Sequence, residues 1–272
     1  MSDHYCVVGN PIAHSKSPQI HAAFARDTDQ DIRYDRLLAP LDGFDATVDA
    51  FARGGGLGCN VTMPFKQQAF AVSRVIAPRA QLAGAVNTLS RCGDEWHGDN
   101  TDGAGIVRDL TCNLAWSPAG RTILILGAGG ATRGVLGPLL ACDPARICVV
   151  NRTRSRAEDI VCLFAHGGTL VASATDELDE TFDLVINATP WYDATNASAW
   201  PHDIFAEDAL AYDMMYADQP TAFMRWSREH GAARAVDGLG MLVEQAAESF
   251  FIWRGVRPRT RSILEQLRVD KS

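Results

Sequence analysis

Positive charge is scarce in this 272-residue chain: 25 Lys and Arg stand against 33 Asp and Glu, a net charge of −8. A surface of that sign repels phosphate backbones and anionic headgroups, so neither a nucleic-acid nor a membrane partner is expected. Long apolar runs are missing too. None approaches the ~20 residues that a bilayer-spanning helix needs. The opening MSDHYCVVGN has neither the basic nor the apolar stretch of a secretory signal. The seven cysteines are odd in number and never spaced C-x-x-C, and the seven histidines are dispersed with no H-E-x-x-H. A disulfide frame and a zinc site are therefore not indicated, no metal is expected, and free thiols suit a reducing cytoplasm. No internal repeat or low-complexity segment is found. With 47% hydrophobic residues, one large or two medium packed domains are within reach.

A carboxylate is also missing from a place where many dinucleotide-binding chains keep one. Residues 122–156 read TILILGAGGATRGVLGPLLACDPARICVVNRTRSR. The apolar run 123–126 predicts a buried parallel strand. It ends in Gly127-Ala128-Gly129-Gly130-Ala131, with Thr132 where a third glycine often stands. An amphipathic helix follows, with Val135, Leu136, Leu139 and Leu140 on one side, and then a second apolar strand, 147–150. Strand, glycine turn, helix and strand form a βαβ nucleotide-binding unit, whose turn lets the backbone approach a pyrophosphate at a helix N-terminus. An Asp or Glu at the end of the second strand would bind a free ribose 2′-hydroxyl. This chain has Asn151-Arg152-Thr153 there, with Arg156 one turn on. Two guanidiniums can grip a 2′-phosphate through forked hydrogen bonds, so NADP is favoured over NAD. The alternative is a pair of solvated arginines at a helix start, where cations without an anion are poorly placed.

Taken in order, the chain opens with a strand, 4–8, and then the loop IAHSKSP. Ser17 is expected as the N-cap of a helix entered through Pro18. Ser15 and Ser17 thus lie at a strand's C-terminal end, where ligands bind in open α/β sheets, and their hydroxyls suit a carboxylate; Ser17 as a cap alone remains the other reading. A strand at Ile32–Leu38 and a helix at 44–52 lead to the short strand GCNVT, on which Asn60 and Thr62 share a face. Lys66 falls in the first turn of the helix behind Pro64. A cation there opposes the helix dipole, so it is either a solvated surface lysine or functional. A strand bearing Asn87 follows, then GDNTDGAG, where Thr101 or Asp102 is the expected cap of a helix at 105–110. Residues 113–121 read as a linker. After the βαβ unit come a helix at 154–164, a strand at 184–187, a long loop to Pro201, a strand at 209–214, a helix at 221–230 and a strand at Arg234–Val236. The helices from Gly238 onward have nothing local to pack on and are expected to return to the first domain. The fold class is α/β: residues 1–104, completed by 239–272, as one α/β domain, and 105–238 as a doubly wound nucleotide-binding domain.

The stretches GNPIAHSKSP, NVTMPFK, AGAVNTL, GDNTDG, GAGGA, NRTRSR, YDMMY and DGLGMLVEQA, in that order, make the chain resemble the shikimate dehydrogenases nearly end to end. The resemblance implies an N-terminal substrate domain, an NADP-binding Rossmann domain, and reversible reduction of 3-dehydroshikimate to shikimate in aromatic amino-acid biosynthesis. It implies that Ser15 and Ser17 hold the substrate carboxylate. Thr62, Asn87 and Gln245 would bind its hydroxyls, with Asn60 and Tyr216 lining the pocket and Lys66 and Asp102 as the catalytic pair. Residues 127–131 would hold the pyrophosphate, Asn151, Arg152, Thr153 and Arg156 the 2′-phosphate, and Met214 and Gly238 would lie near the nicotinamide. The substrate is a small molecule, the location cytoplasmic, and the assembly a monomer or homodimer. Two departures stand out: Pro190-Trp191-Tyr192 replaces the family's usual small residues, and residues 73–76 are less acidic than usual, so no role is assigned to either. Two rivals stay open. A quinate/shikimate dehydrogenase often takes NAD, which the arginines oppose. A non-catalytic NADP(H)-binding relative would not need Lys66 and Asp102.

Overall fold

The computed structural model describes residues 2–164, 169–189 and 200–269. It divides into two units, Met1–Gly105 with Leu242–Leu267, and Ile106–Met241 with Arg268–Ser272. The Pro190-Trp191-Tyr192 departure lies outside the described residues.

The first unit is built on strands β1 (Asp3–Gly9), β2 (Ile32–Leu38), β3 (Gly56–Val61), β4 (Ser73–Ile76), β5 (Thr88–Cys92) and β6 (Glu95–Asp99). They form one mixed sheet in the order β2-β1-β3-β5-β6-β4. β1 runs parallel to β2 and β3, whereas β5 is antiparallel to β3 and β6. Helices α1 (Ser17–Asp27), α2 (Phe44–Arg53), α3 (Lys66–Val72) and α4 (Pro78–Ala83) connect them, and α5 begins at Asp102. Strand alternation sorts the two faces. Cys6, Val8, Cys59, Val61 and Leu89 point to one side, into a core with Val48 and Phe65. By the period of two, Asn60 and Thr88 point to the other side.

The second unit holds β7 (Thr122–Leu126), β8 (Arg146–Val150), β9 (Leu170–Ser173), β10 (Phe182–Asn187), β11 (Phe205–Asp213) and β12 (Arg234–Val236), with helices α6 (Gly130–Leu140), α7 (Arg154–Leu163) and α8 (Ala222–Glu229). All pairs are parallel and the order is β12-β11-β10-β7-β8-β9. This is a doubly wound sheet whose direction of winding reverses between β7 and β10. The near-continuous apolar runs of β7, β8 and β10 follow from burial on both faces, and two cores flank them.

The last helices are α9 (Leu239–Arg254) and α10 (Arg261–Val269). From Leu242 on, α9 belongs to the first unit and covers the sheet face that carries Tyr5 and Asn60. Trp253 stacks on Tyr5 at 4.7 Å and its indole N–H donates to Leu89 O at 3.1 Å.

Three expectations need correction. Strands β4 and β9 were not anticipated: both lie at the edges of their sheets, with mostly half-buried or exposed side chains and no unbroken apolar run to mark them. The helix expected over 105–110 runs instead over Asp102–Arg108 and widens into a π turn at Asp109–Asn113. There the buried Asp109 carboxylate accepts from the Tyr212 hydroxyl at 2.6 Å and the Asn113 amide at 2.9 Å. Side-chain bonds of that kind are invisible to a periodicity argument.

His21, wholly buried on α1, stacks on Tyr34 at 4.1 Å with the rings 6° from parallel. Burial pushes its pKa down from 6.5 to about 3. The unfolded chain therefore binds this proton below pH 6.5 and the folded chain does not until about pH 3, so stability falls with pH across that window. Between pH 7 and 5 the cost through this group is about 2 kcal/mol. Urea unfolding of His21→Phe should show a smaller loss of stability than the parent over those two pH units. An unchanged difference would mean that the imidazole is protonated in place.

Candidate active site

The densest polar cluster of the first unit gathers at the C-terminal ends of β3 and β6 and the start of β5. Lys66 opens α3, and its main-chain carbonyl is fixed by the Val86 N–H at 2.9 Å. Its Nζ lies 2.5 Å from Asp102 Oδ2, a pair in which the lysine side chain keeps 28% of its exposure and the aspartate 9%. The other oxygen, Oδ1, accepts from Asn87 Nδ2 at 2.7 Å. Asn87 also reaches Thr101 Oγ1 at 3.0 Å and Gln245 Oε1 at 3.3 Å, and its own Oδ1 accepts the Thr101 N–H at 2.9 Å. Lys66, Asn87, Asp102 and Gln245 are thus brought together.

α5 starts at Asp102, so Thr101 stands at the expected N-cap position, its carbonyl accepting the Gly105 N–H at 2.9 Å. Asn100 Oδ1 accepts the Asp102 N–H at 3.1 Å, which leaves the Asp102 carboxylate for Lys66 and Asn87. The Asn100 N–H in turn donates to Asp99 Oδ1, and Asp99 is gripped by both nitrogens of a bidentate Arg79 at 2.7 and 2.9 Å. Arg79 also contacts Glu248 of α9 at 3.2 Å. Such forked pairs fix geometry as well as charge.

Asn60 is buried, and its amide is occupied on both sides. Oδ1 accepts from the Tyr34 hydroxyl at 2.7 Å, while Nδ2 donates to Ser249 Oγ at 2.9 Å and, more weakly, to Thr88 Oγ1 at 3.3 Å. Burial raises the Tyr34 phenol well above its ordinary pKa, with the nearby Cys6 and Cys59 adding to it, so it stays a donor. Thr62, half-buried, follows β3 on the same face as Asn60. Ser15 and Ser17 sit together before α1: Ser15 Oγ is 3.2 Å from Ser17 Oγ and accepts the Ser17 N–H at 3.3 Å. Arg36 clamps the Ser15 carbonyl at 3.0 and 2.5 Å. Here the cap differs from expectation: Lys16 is the N-cap of α1, and Ser17 is its first helical residue. The sequence reading passed over Ser249, Tyr34, Thr88 and Arg79. Only Ser249 had a usable signal, standing one helical turn after Gln245.

In the second unit the glycine turn leaves β7 through Gly127, whose φ of +109° no side chain adopts easily. Its N–H donates to Val150 O at 2.7 Å. Around Gly129 and Gly130 the space beyond the backbone is open. Thr132 compensates for the missing third glycine: buried, it donates its hydroxyl to Gly127 O at 2.7 Å. Asn151 ties the turn to the end of β8, accepting from the Ala128 N–H at 3.3 Å and donating to Thr153 O at 2.9 Å. Thr153 is the N-cap of α7, whose first turn carries no acidic residue. Arg154 is taken up by Glu158 and Glu177, whereas Arg152 and Arg156 are exposed and have no ion-pair partner among the described residues. Free helix N–H groups, two free guanidiniums and neutralised carboxylates fit the 2′-phosphate and pyrophosphate of NADP.

At the ends of β10 and β11, Asp213 accepts from Asn187 Nδ2 and the Met215 N–H, both at 3.1 Å. Burial raises its pKa. The Met214 N–H donates to Asn187 O at 3.0 Å, and the Gly238 N–H to Met215 O at 2.9 Å. A Cβ on Gly238 would meet Met214 O at 2.4 Å, so the close passage of these two segments demands glycine. Tyr216 follows this segment, half-buried and part of the second unit.

Three family models cover the chain: "Shikimate dehydrogenase substrate binding domain" over residues 7–89, "Shikimate / quinate 5-dehydrogenase" over 113–197 and "Shikimate 5'-dehydrogenase C-terminal domain" over 238–268. A shikimate dehydrogenase (NADP(+)) of Herminiimonas arsenicoxydans is 55% identical over 270 residues, 99% of this chain and 98% of that one. One of Nitrosospira multiformis is 53% identical over 98% of each. Among solved structures, the shikimate 5-dehydrogenase of Thermus thermophilus in complex with NADP(H) and shikimate is 30% identical, with a TM-score of 0.87 over 99% of this chain and 100% of that one. The chain belongs to the shikimate dehydrogenase family.

Proposed function

We propose that this protein interconverts 3-dehydroshikimate and shikimate with NADP, serving aromatic amino-acid biosynthesis in the cytoplasm. The observation that carries the reading is the Lys66–Asp102 pair at 2.5 Å, held by Asn87 among neutral hydroxyls and amides. Bound NADPH supplies a hydride to the ketone carbon. Negative charge then develops on the ketone oxygen, and the Lys66 ammonium donates a proton to it. Asp102 holds that ammonium charged and aimed; Asn87 keeps the carboxylate in place. In the reverse direction Lys66 takes the proton back from the hydroxyl of shikimate.

Ser15 and Ser17 bind the substrate carboxylate, with the Arg36 clamp fixing their loop. Thr62, Asn87 and Gln245 bind its hydroxyls, and Asn60 supports the pocket from behind. The 127–131 turn receives the pyrophosphate, with Asn151 fixing its shape. Arg152, Arg156 and the α7 start at Thr153 receive the 2′-phosphate, and Met214 and Gly238 shape the nicotinamide site.

Arg152→Ala should weaken NADP-supported kcat/KM by roughly 1.5–3 kcal/mol, the range for hydrogen bonds to charged groups. NAD-supported turnover should barely change. Steady-state assays with both cofactors check this, and a parent enzyme equally active with NAD would overturn the role of the arginines.

Removing both hydroxyls in a Ser15→Ala, Ser17→Ala protein should raise KM for shikimate far more than it lowers kcat. The carboxylate does not change charge during reaction, so these contacts act as uniform binding. A tenfold fall in kcat at unchanged KM, about 1.4 kcal/mol, would move them to the transition state.

Lys66→Ala should fold and bind NADP as the parent does, while kcat falls by at least the ~10²–10⁴ that general acid–base help supplies. Asp102→Asn should also lose turnover, since an amide cannot hold the ammonium by charge. Near-parental turnover in Lys66→Ala, with shikimate or with quinate, refutes the mechanism.

A further inference from the structure

Ser249 has no place in the reading above, yet it is fully buried and sits at the centre of the cluster. Its Oγ lies 2.9 Å from Asn60 Nδ2, 2.8 Å from Thr88 Oγ1, 3.2 Å from Thr101 Oγ1 and 3.1 Å from its own helix carbonyl at Gln245. The directions of these bonds are fixed by what stands at one end. Asp102, paired with Lys66, is a carboxylate and can only accept. Asn87 must therefore turn its NH₂ to Asp102, at 2.7 Å, and its carbonyl to the Thr101 N–H and the Thr88 hydroxyl, each at 2.9 Å. Thr88 has one proton and has given it to Asn87, so toward Ser249 it accepts. Ser249 has the Gln245 carbonyl and Thr88 Oγ1 as acceptors for its own proton, at 3.1 and 2.8 Å, and its oxygen accepts from the Asn60 NH₂ at 2.9 Å. Asn60 is left presenting its carbonyl to the Tyr34 hydroxyl at 2.7 Å.

The result is one connected network, Tyr34 to Asn60 to Ser249 to Thr88 to Asn87 to Asp102, with Ser249 anchored to its own helix. In such networks each bond polarises its neighbours and strengthens them. We propose that Ser249 is a positioning residue for turnover: its hydroxyl ties Asn60 and Thr88 to α9, and through Thr88 it steadies Asn87 and the seat of Asp102. This rests on the reading of Lys66 and Asp102 as the proton-transfer pair. Ser249 touches neither of them, and it comes from α9, nearly 150 positions further along the chain. Without its hydroxyl, Asn60 Nδ2 is left with two long contacts, Thr88 Oγ1 at 3.3 Å and the Asn87 carbonyl at 3.4 Å. Closing those gaps shifts Thr88 and Asn87 by tenths of an ångström. A 1 Å misplacement can cost ~10²-fold in rate, so a shift of that size costs about three- to tenfold.

The test compares Ser249→Ala with Ser249→Thr, which keeps the hydroxyl, in the full-length enzyme with shikimate and NADP. For Ser249→Ala we expect kcat about three- to tenfold down with KM for NADP unchanged, and for Ser249→Thr a kcat within twofold of the parent. In the alanine variant the side-chain NH₂ resonance of Asn87 should also move in ¹⁵N–¹H spectra, a readout independent of turnover. A Ser249→Ala enzyme that melts earlier but keeps parental kcat and an unmoved Asn87 resonance would make the serine structural only and overturn the proposal. So would a folded threonine variant as slow as the alanine one. If Ser249→Ala does not fold, Thr88→Val breaks the next link and is read the same way: a loss of kcat is expected, and parental kcat refutes the chain. Lys66→Ala, run alongside, separates the two claims. If it keeps its turnover, the proton-transfer reading has failed; if it loses turnover while Ser249→Ala does not, only the positioning role has failed.

Discussion

The first unit is arranged around one charged pair drawn largely out of water. A carboxylate as covered as that of Asp102 is costly unless it is both paired and hydrogen-bonded. Lys66 supplies the charge and Asn87 the hydrogen bond. Neither partner is placed by its own element alone. The main chain of Lys66 is pinned by Val86, and Asn87 by the Thr101 N–H. Asn100, which takes the Asp102 N–H, follows an Asp99 locked by Arg79. The mixed sheet brings the ends of β3 and β6 to the start of β5 because β5 runs antiparallel between these two strands. A purely parallel sheet would have needed long crossovers in place of these short returns.

The second unit solves the opposite electrostatic problem. A chain with a net charge of −8 must still hold a ligand bearing several phosphates. It does so by local placement rather than by overall charge. Backbone N–H groups at the starts of α6 and α7 supply partial positive charge. Thr132 and Asn151 use their side chains to hold the turn, leaving the open space beyond Gly129 and Gly130 clear. The contrast between Arg154 and its neighbours is instructive. Arg154 is absorbed by Glu158 and Glu177, which also removes two carboxylates from the field felt at Arg152 and Arg156.

Much of this was legible in the sequence, and what was hidden was hidden for physical reasons. The βαβ unit could be read because strands buried on both faces are unbroken apolar runs and because glycine punctuates the turn. Lys66 could be suspected because it offends the dipole of the helix it opens. β4 and β9 were missed because they are edge strands with little buried apolar surface to leave a pattern. The α1 cap was misplaced by one residue: Lys16 holds that position, and Ser15 reaches the Ser17 N–H from two residues before it. The support beneath the site was missed because it is non-local: Asn60 meets Ser249 across 189 positions, and Arg79 meets Glu248 across 169. No local pattern marks such a pair.

The composition of the cluster bears on how the proton transfer proposed above would run both ways. Apart from Lys66 and Asp102, the groups that meet them there are amides and hydroxyls, which are uncharged at neutral pH. While the lysine holds its proton, the pair is neutral overall. On that proposal, Asp102 is left as a covered anion once the proton has gone to the substrate, with Asn87 and the helix start to balance it. A second cation beside it would hold Asp102 too well and lower the basicity of Lys66, favouring one direction. A second carboxylate would hold the proton on the lysine and favour the other. A carboxamide does neither: it can stabilise Asp102 in both states without shifting the balance by a full charge. That role depends on its NH₂ facing the carboxylate every time the proton leaves. An amide fixed on its far side by Thr88 and the Thr101 N–H meets that condition, and a freely turning one does not.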